Sequence, residues 1–185
     1  KPACLVRQGL AGEDELQKIE LLMRTMNIEP KRRRVVPAAL AVAERTGAPA
    51  AAIELPDGTL VTGRTTDLFG PSSAAMLNAL KVLAGIPDEI NLISPTVIGP
   101  IQMLKTGYMK SLNPRLHTDE MLVALAISAA TDENAMRAMR QLSALHGCDV
   151  HTSVIVSSVD DRVFKRLGMN ITCEPAYEKN TLYHK

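Results

Sequence analysis

The stretch "AAAIELPDGTLVTG", Ala50 to Gly63, decides the fold. An apolar run meets the turn-forming residues PDG and passes into a β-branched run, which is the pattern of a β-hairpin. Strands over 50–55 and 59–63 are therefore expected to pair antiparallel. Just before them, "VVPAALAVAERTG" reads as a helix, with Pro37 tolerated in its first turn and Gly47 as its stop. Just after them, "TGRTTDLFGPSSAAMLNALK", Thr62 to Lys81, crowds hydroxyls, an arginine and two glycines into a loop. The loop over 64–71 then delivers a helix from about Ser72 to Leu83, closed by Gly85 and Pro87.

Farther out, Leu16, Ile19, Leu22, Met23 and Met26 form one stripe of an amphipathic helix over Glu13 to Met26. "EINLIS" is a buried-strand candidate, and Pro95 opens a helical stretch through "TVIGPIQMLKTGYMK". "HTDEMLVALAISAA", capped by Thr118, and "DENAMRAMRQLSALHG", capped by Asp132 or Thr131, form a helical hairpin. "DVHTSVIVSS" reads as a strand, "DDRVFKRLG" as a short helix and "NITCE" as a last strand. This alternation predicts a three-layer α/β domain on a mixed sheet. The expected division is an N-terminal helical segment and basic linker at 1–34, the α/β domain at 35–175 with a helical insert at about 100–146, and a tail at 176–185.

Composition excludes several function classes. The 185 residues suit one core. A hydrophobic share of 46% against 22% charged residues places the chain among folded globular proteins. A net charge of +1, two Phe, three Tyr and no Trp leave neither a general cationic field nor an aromatic platform, so no nucleic-acid partner is expected. The run Lys31, Arg32, Arg33, Arg34 reads as a solvated linker rim. Cys4, Cys148 and Cys173 are few, odd in number and far apart, which suits a reducing cytoplasm; Cys173 is expected in the core, and Cys4 and His184 in tails. The longest apolar run, Met121 to Ala130, covers about half a bilayer crossing, so no membrane partner is expected. The opening "KPACLVRQGL" has neither a signal-peptide pattern nor a starting methionine and reads as the continuation of a longer polypeptide.

The hairpin followed by alternating helices and strands resembles the cytidine deaminase fold. More specific segments, "ELPDGTLVTGRTTDLFG", "LISPTVIGPIQ", "NPRLHTDEMLVALAISAA" and "GCDVHTSVIVSSVDDRVFKRLGMNITCEP", resemble the bacterial family known as domain of unknown function 1846. Members of that family are much longer. The resemblance therefore implies a C-terminal part with a cytidine deaminase-like mixed sheet, an added helical hairpin and an N-terminal helix. It also implies a partner in the N-terminal part of the same polypeptide, with a glycine-rich, phosphate-loop-like stretch, and it implies no reaction.

A zinc deaminase needs His or Cys with a nearby Glu at one helix start and Pro-Cys-x-x-Cys at another. Here those places read "GPSSAAM" and Ser94, Pro95, Thr96, Val97, Ile98, Gly99, with no thiolate, imidazole or carboxylate. No metal or classical zinc deamination is expected there. What remains, Arg64, Thr65, Thr66, Ser72 and Ser73 with Ser94 and Thr96, is expected to hold a phosphate or carboxylate, since helix starts attract anions. The competing reading is plain helix capping with a solvated Arg64. His117 and Glu120 in "LHTDE", with Cys148 and His151 in "GCDVH", form a second set, arranged like a metal half-site beside an acid–base pair. No G-x-S-x-G, H-E-x-x-H or complete phosphate loop occurs.

Three functions follow. The first is the C-terminal domain of a larger cytoplasmic protein that binds a nucleotide or other anionic metabolite. The second is an assembly module, rich in alanine and methionine, that packs on its parent or forms a homo-oligomer. The third is a metal-dependent hydrolase using His117, Glu120, Cys148 and His151.

Overall fold

A computed structural model describes residues 2–28 and 33–178. The hairpin forms as its turn residues require. Asp57 accepts the Thr59 amide at 2.9 Å, and Gly58 takes φ 83°, where a Cβ is unfavourable. Strand β1 (Ala50–Glu54) pairs antiparallel with β2 (Leu60–Arg64) in the register Ala50 to Arg64 and Glu54 to Leu60. It also pairs antiparallel with β3 (Asp149–Thr152), which lies parallel to the edge strand β4 (Asn170–Cys173). The sheet order is β2-β1-β3-β4, a mixed sheet in an α/β fold.

Eight α-helices surround this sheet among the described residues: α1 (Pro2–Arg7), α2 (Glu13–Thr25), α3 (Val35–Thr46), α4 (Pro71–Ala84), α5 (Pro95–Met103), α6 (Thr118–Ser128), α7 (Glu133–Met139) and α8 (Ser158–Arg166). A π-turn over Leu104–Tyr108 follows α5, and a 3-10 turn over Arg140–Leu145 follows α7. Ala50, Ala51, Ala52 and Ile53 are fully buried, because β1 is covered on both faces. Ala52 packs with Val35 and Ala39 of α3 on one face. Ala51 and Ile53 join Met76 and Leu80 of α4, Met121 and Leu125 of α6, and Phe164 of α8 on the other. Small β1 side chains let both layers come close. On the neighbouring β2, Gly63 is the extreme case, since a Cβ there would lie 2.2 Å from the Ala75 nitrogen and 2.5 Å from the Ala74 carbonyl carbon of α4.

Four expectations need correction. "EINLIS" is no strand; Leu92 and Ile93 are buried as loop residues against the main core, so their hydrophobicity served packing. "DVHTSVIVSS" is strand only to Thr152, after which the Ile155 amide bonds to Ala176 rather than to the ladder. The basic run is no solvated rim at Arg33, although Arg34 stays exposed. Arg33 donates to Asp149 at 2.7 Å, to Thr172 at 2.9 Å and to the Asn170 carbonyl at 2.7 Å, and Arg34 pairs with Glu54 at 2.7 Å. Cys4 is no loose tail residue but a buried one on α1. The α2 stripe, by contrast, buries nothing, and Leu21, Leu22 and Met26 stand exposed. Lys31, Arg32 and His184 lie outside the described residues.

Candidate functional site

The loop between β2 and α4 spreads its polar residues over separate environments. Thr66 accepts the Leu68 and Phe69 amides at 3.2 and 3.1 Å, which folds the loop on itself. Ser73 donates to the Leu116 carbonyl at 3.0 Å, tying α4 to the chain entering α6. Ser94 accepts the Thr96 amide at 3.3 Å and meets the Thr96 hydroxyl at 2.8 Å, so this pair caps α5. Of these only the Ser94–Thr96 pair caps a helix; α4 starts at Gly70 without a side-chain cap. Arg64 is exposed, as the capping reading expects, whereas Thr65 behaves otherwise. Thr65 is 5% exposed, yet among the described residues its Oγ1 has no hydrogen-bond partner. Buried hydroxyls in native folds are nearly always paired.

Thr65 lines a cavity of about 330 Å³ together with Arg64, Thr66, Asp67, Arg115 and Glu178. Arg115 holds the Glu178 carboxylate at 2.8 Å, with the two side chains only 14% and 9% exposed. Glu178 also lines a neighbouring cavity of about 380 Å³, built from Ser72 at the start of α4, Thr152 at the end of β3, and Ser157, Ser158 and Asp160 at the start of α8. Two helix starts thus open on the second cavity, and the first-turn amides of a helix have no partners inside it. A third cavity, of about 370 Å³, takes Arg64, Thr66, Lys81 and Pro95. Arg64 and Thr66 therefore share walls with the start of α5, but Ser94 and Thr96 are exposed and bond to each other.

The second predicted set does not gather. Glu120 reaches back to the His117 amide at 2.8 Å, which caps α6, and binds the buried Lys105 ammonium at 2.7 Å. Lys105 also donates to the Arg115 carbonyl at 2.5 Å. Cys148 packs in the main core, with its thiol toward the Ala144 carbonyl at 3.7 Å. His151 lies opposite Ala52 in the register, on the α3 face, against Thr172 at 2.9 Å and Glu174 at 3.2 Å. Burial pushes the His151 pKa down, against the opposing Glu174 carboxylate. The pleat separates the two: residues 148 and 151 are three apart and point to opposite faces. Among the described residues no group of three or more His, Cys, Asp or Glu side chains is placed to hold a metal. The four-residue hydrolase centre expected from the sequence is corrected accordingly.

His117 has partners that spacing did not reveal. Its Nδ1 lies 3.6 Å from Asp160 and 3.5 Å from the Ser157 hydroxyl. Asp160 accepts the Thr118 amide and hydroxyl, each at 2.9 Å, and the Ser157 hydroxyl at 2.8 Å. The adjacent Asp160 carboxylate raises the His117 pKa, against burial, with Glu120 adding and Lys105 opposing. Burial pushes the Asp160 pKa up, but His117, the Thr118 amide and Ser157 together hold it below the ordinary carboxylate value. A Ser-His-Asp relay needs hydroxyl and carboxylate on opposite imidazole nitrogens. Here both face Nδ1, and the Ser157 proton goes to Asp160, so the cluster clamps α6 to α8 and makes no nucleophile. The available signal was "SSVD", Ser157 to Asp160: Ser157 caps α8 by accepting the Asp160 amide at 3.0 Å. Nothing local marked Arg115 or Glu178.

The model of the family described as "Domain of unknown function DUF1846, C-terminal" matches residues 31–183. The chain is 51% identical over 183 residues to UPF0371 protein DIP2346 of Corynebacterium diphtheriae, covering 98% of this chain and 37% of that protein. It is 52% identical over 168 residues to UPF0371 protein cu0538 of Corynebacterium urealyticum, covering 91% and 34%. UPF0371 protein str1377 of Streptococcus thermophilus is 49% identical over 173 residues, covering 94% and 35%. The chain spans about a third of the length of these relatives.

Proposed function

This chain belongs to the DUF1846 C-terminal family, and on that premise we propose that it is the C-terminal domain of a larger cytoplasmic bacterial protein and binds an anionic metabolite of the nucleotide class. The phosphate or carboxylate end meets Arg64, Thr65 and Arg115, and the remainder extends past Glu178 toward Ser72 and Ser157. The observation that carries this reading is the buried Thr65 hydroxyl, without a partner among the described residues, in a cavity that two arginines, Arg64 and Arg115, also line. An unsatisfied buried donor costs about 1–3 kcal/mol, a cost that a ligand oxygen removes. Arg115 already grips a carboxylate, that of Glu178, which marks the chemistry its planar fork accepts. The ligand anion takes that place, and Glu178 swings toward the second cavity.

The test is a ¹⁵N-amide NMR titration of the chain with inorganic phosphate and, separately, adenosine monophosphate. Phosphate shifts the amides of residues 64–67 and 115; the nucleotide adds shifts at 72 and 157–158. The variant Arg64→Ala with Thr66→Ala loses both. Unmoved amides in the native chain at millimolar ligand, or the same shifts in the variant, would sink the reading.

A second reading rests on one surface. Met103, Leu104, Tyr108, Met109 and Leu112 are each more than half exposed around the π-turn. Patches of this kind mark interaction faces. We propose that the remainder of the longer polypeptide covers this one. Light scattering and titration with that remainder should show binding that Tyr108→Glu and Met109→Glu abolish; binding unaffected by both changes would refute it.

A further inference from the structure

We propose that Cys4 and Cys173 are a thiol–disulfide pair which glutathione disulfide oxidises, locking α1 onto the edge strand β4. The two sulfurs lie 3.2 Å apart although 169 positions separate them in the sequence. The Cys4 thiol also points at the Cys173 carbonyl at 3.3 Å. A disulfide bond is about 2.0 Å long, so the sulfurs need to approach by only about 1.2 Å. Helix α1 is six residues long, a small body to shift by that amount. Cys148 provides the internal contrast, being a buried thiol in the main core that points at the Ala144 carbonyl rather than at another cysteine.

Access follows from the neighbouring cavity of about 250 Å³, which Cys4, Leu5, Gln8, Ile155, Ser158 and Cys173 line. Cys173 is the half-exposed member and Cys4 the buried one, which sets the order of events. The Cys173 thiolate attacks one sulfur of glutathione disulfide, breaks its S–S bond and releases one glutathione thiolate. Cys4 then attacks the Cys173 sulfur of the mixed disulfide and displaces the second glutathione thiolate. The two protons lost by the cysteines end on the two glutathione thiols, and the two electrons withdrawn from the pair reduce the glutathione disulfide. Burial first, and then the neighbouring Cys173 sulfur, push the Cys4 thiol up to about 12. Once Cys173 is in the mixed disulfide its contribution to that rise is gone, and burial remains.

The test uses the 185-residue chain in glutathione buffers of rising oxidation, quenched with acid and alkylated under denaturant. Peptide mapping should show a Cys4–Cys173 cross-link, with Cys148 still alkylatable and full reversal by reduced glutathione. Cys4→Ser should stop at glutathione on Cys173. Glutathione persisting on Cys173 of the unaltered chain, or a cross-link through Cys148, would overturn the proposal. The unaltered chain alone decides this, whether or not the variant folds.

Discussion

Replacing Gly63 by alanine tests the closest contact in the fold. The added methyl carbon would stand 2.2 Å from the Ala75 nitrogen and 2.6 Å from the Ala75 Cα. Both are backbone atoms, so no side chain can turn aside. Carbon contacts are comfortable at about 3.5–4.0 Å, and α4 must therefore recede by about 1.5 Å. It cannot do so freely, because Met76 and Leu80 on the same helix are fully buried and Asn78 donates to the Thr62 carbonyl at 2.9 Å. Overpacking costs about 1–3 kcal/mol in general, and a backbone obstacle places this exchange near about 3 kcal/mol. Total stabilities are about 5–15 kcal/mol, so the loss is large. Urea unfolding followed by circular dichroism measures it, with Gly107→Ala as control. Gly107 sits in the π-turn, where an added Cβ would find the Met103 Cγ at an ordinary 3.9 Å, so alanine there should be neutral or stabilise by about 0.5 kcal/mol. If Gly63→Ala unfolds within about 0.5 kcal/mol of the native chain, with an unchanged urea slope, the reasoning about that contact is wrong.

Other perturbations have signs that follow from the contacts. Thr65→Val removes a buried hydroxyl that has no partner among the described residues and should raise stability by about 1 kcal/mol while weakening phosphate binding; a destabilised variant would show that the hydroxyl is satisfied in solution. Asp160→Asn should cost about 1–3 kcal/mol, since the carboxylate serves Thr118, Ser157 and His117 at once. Because the folded His117 pKa is raised, its contribution is complete below about pH 6.5 and is lost as pH rises through the folded value. Asp160, lowered in the fold, contributes above about pH 3.9 and loses that contribution as pH falls through its folded value. The native chain should therefore weaken above pH ~6.5, a decline that Asp160→Asn flattens. Denaturation at several pH values measures this, and equal slopes in both proteins would contradict it. His151, lowered by burial, acts with the opposite sign below about pH 6.5 and so leaves that upper window to His117. Arg33→Ala should cost about 1 kcal/mol or somewhat more by freeing Asp149, Thr172 and the Asn170 carbonyl, with a smaller loss at high salt; a change within about 0.3 kcal/mol would place the contact among inert surface pairs.

Local physics was legible in the chain. The hairpin at 50–64, the left-handed glycine ends at Gly47 and Gly85 and the caps at Asp132 and Ser94 each depend on residues within a few positions of one another. So does the apolar β1, whose alanines announce burial on both faces. Tertiary structure decided whatever depends on which face or which distant segment a residue meets. Leu92 and Ile93 show that an apolar hexamer satisfies the core equally well as loop or strand, so periodicity could not choose. The pleat sent Cys148 and His151 apart, although their spacing suggested one site. Folding brought Asp160 to Thr118 across 42 positions, Glu178 to Arg115 across 63 and Cys4 to Cys173 across 169. Sequence patterns report the neighbours a few residues away because backbone geometry fixes them, whereas these pairings arise only when the whole core closes and chooses what stands opposite.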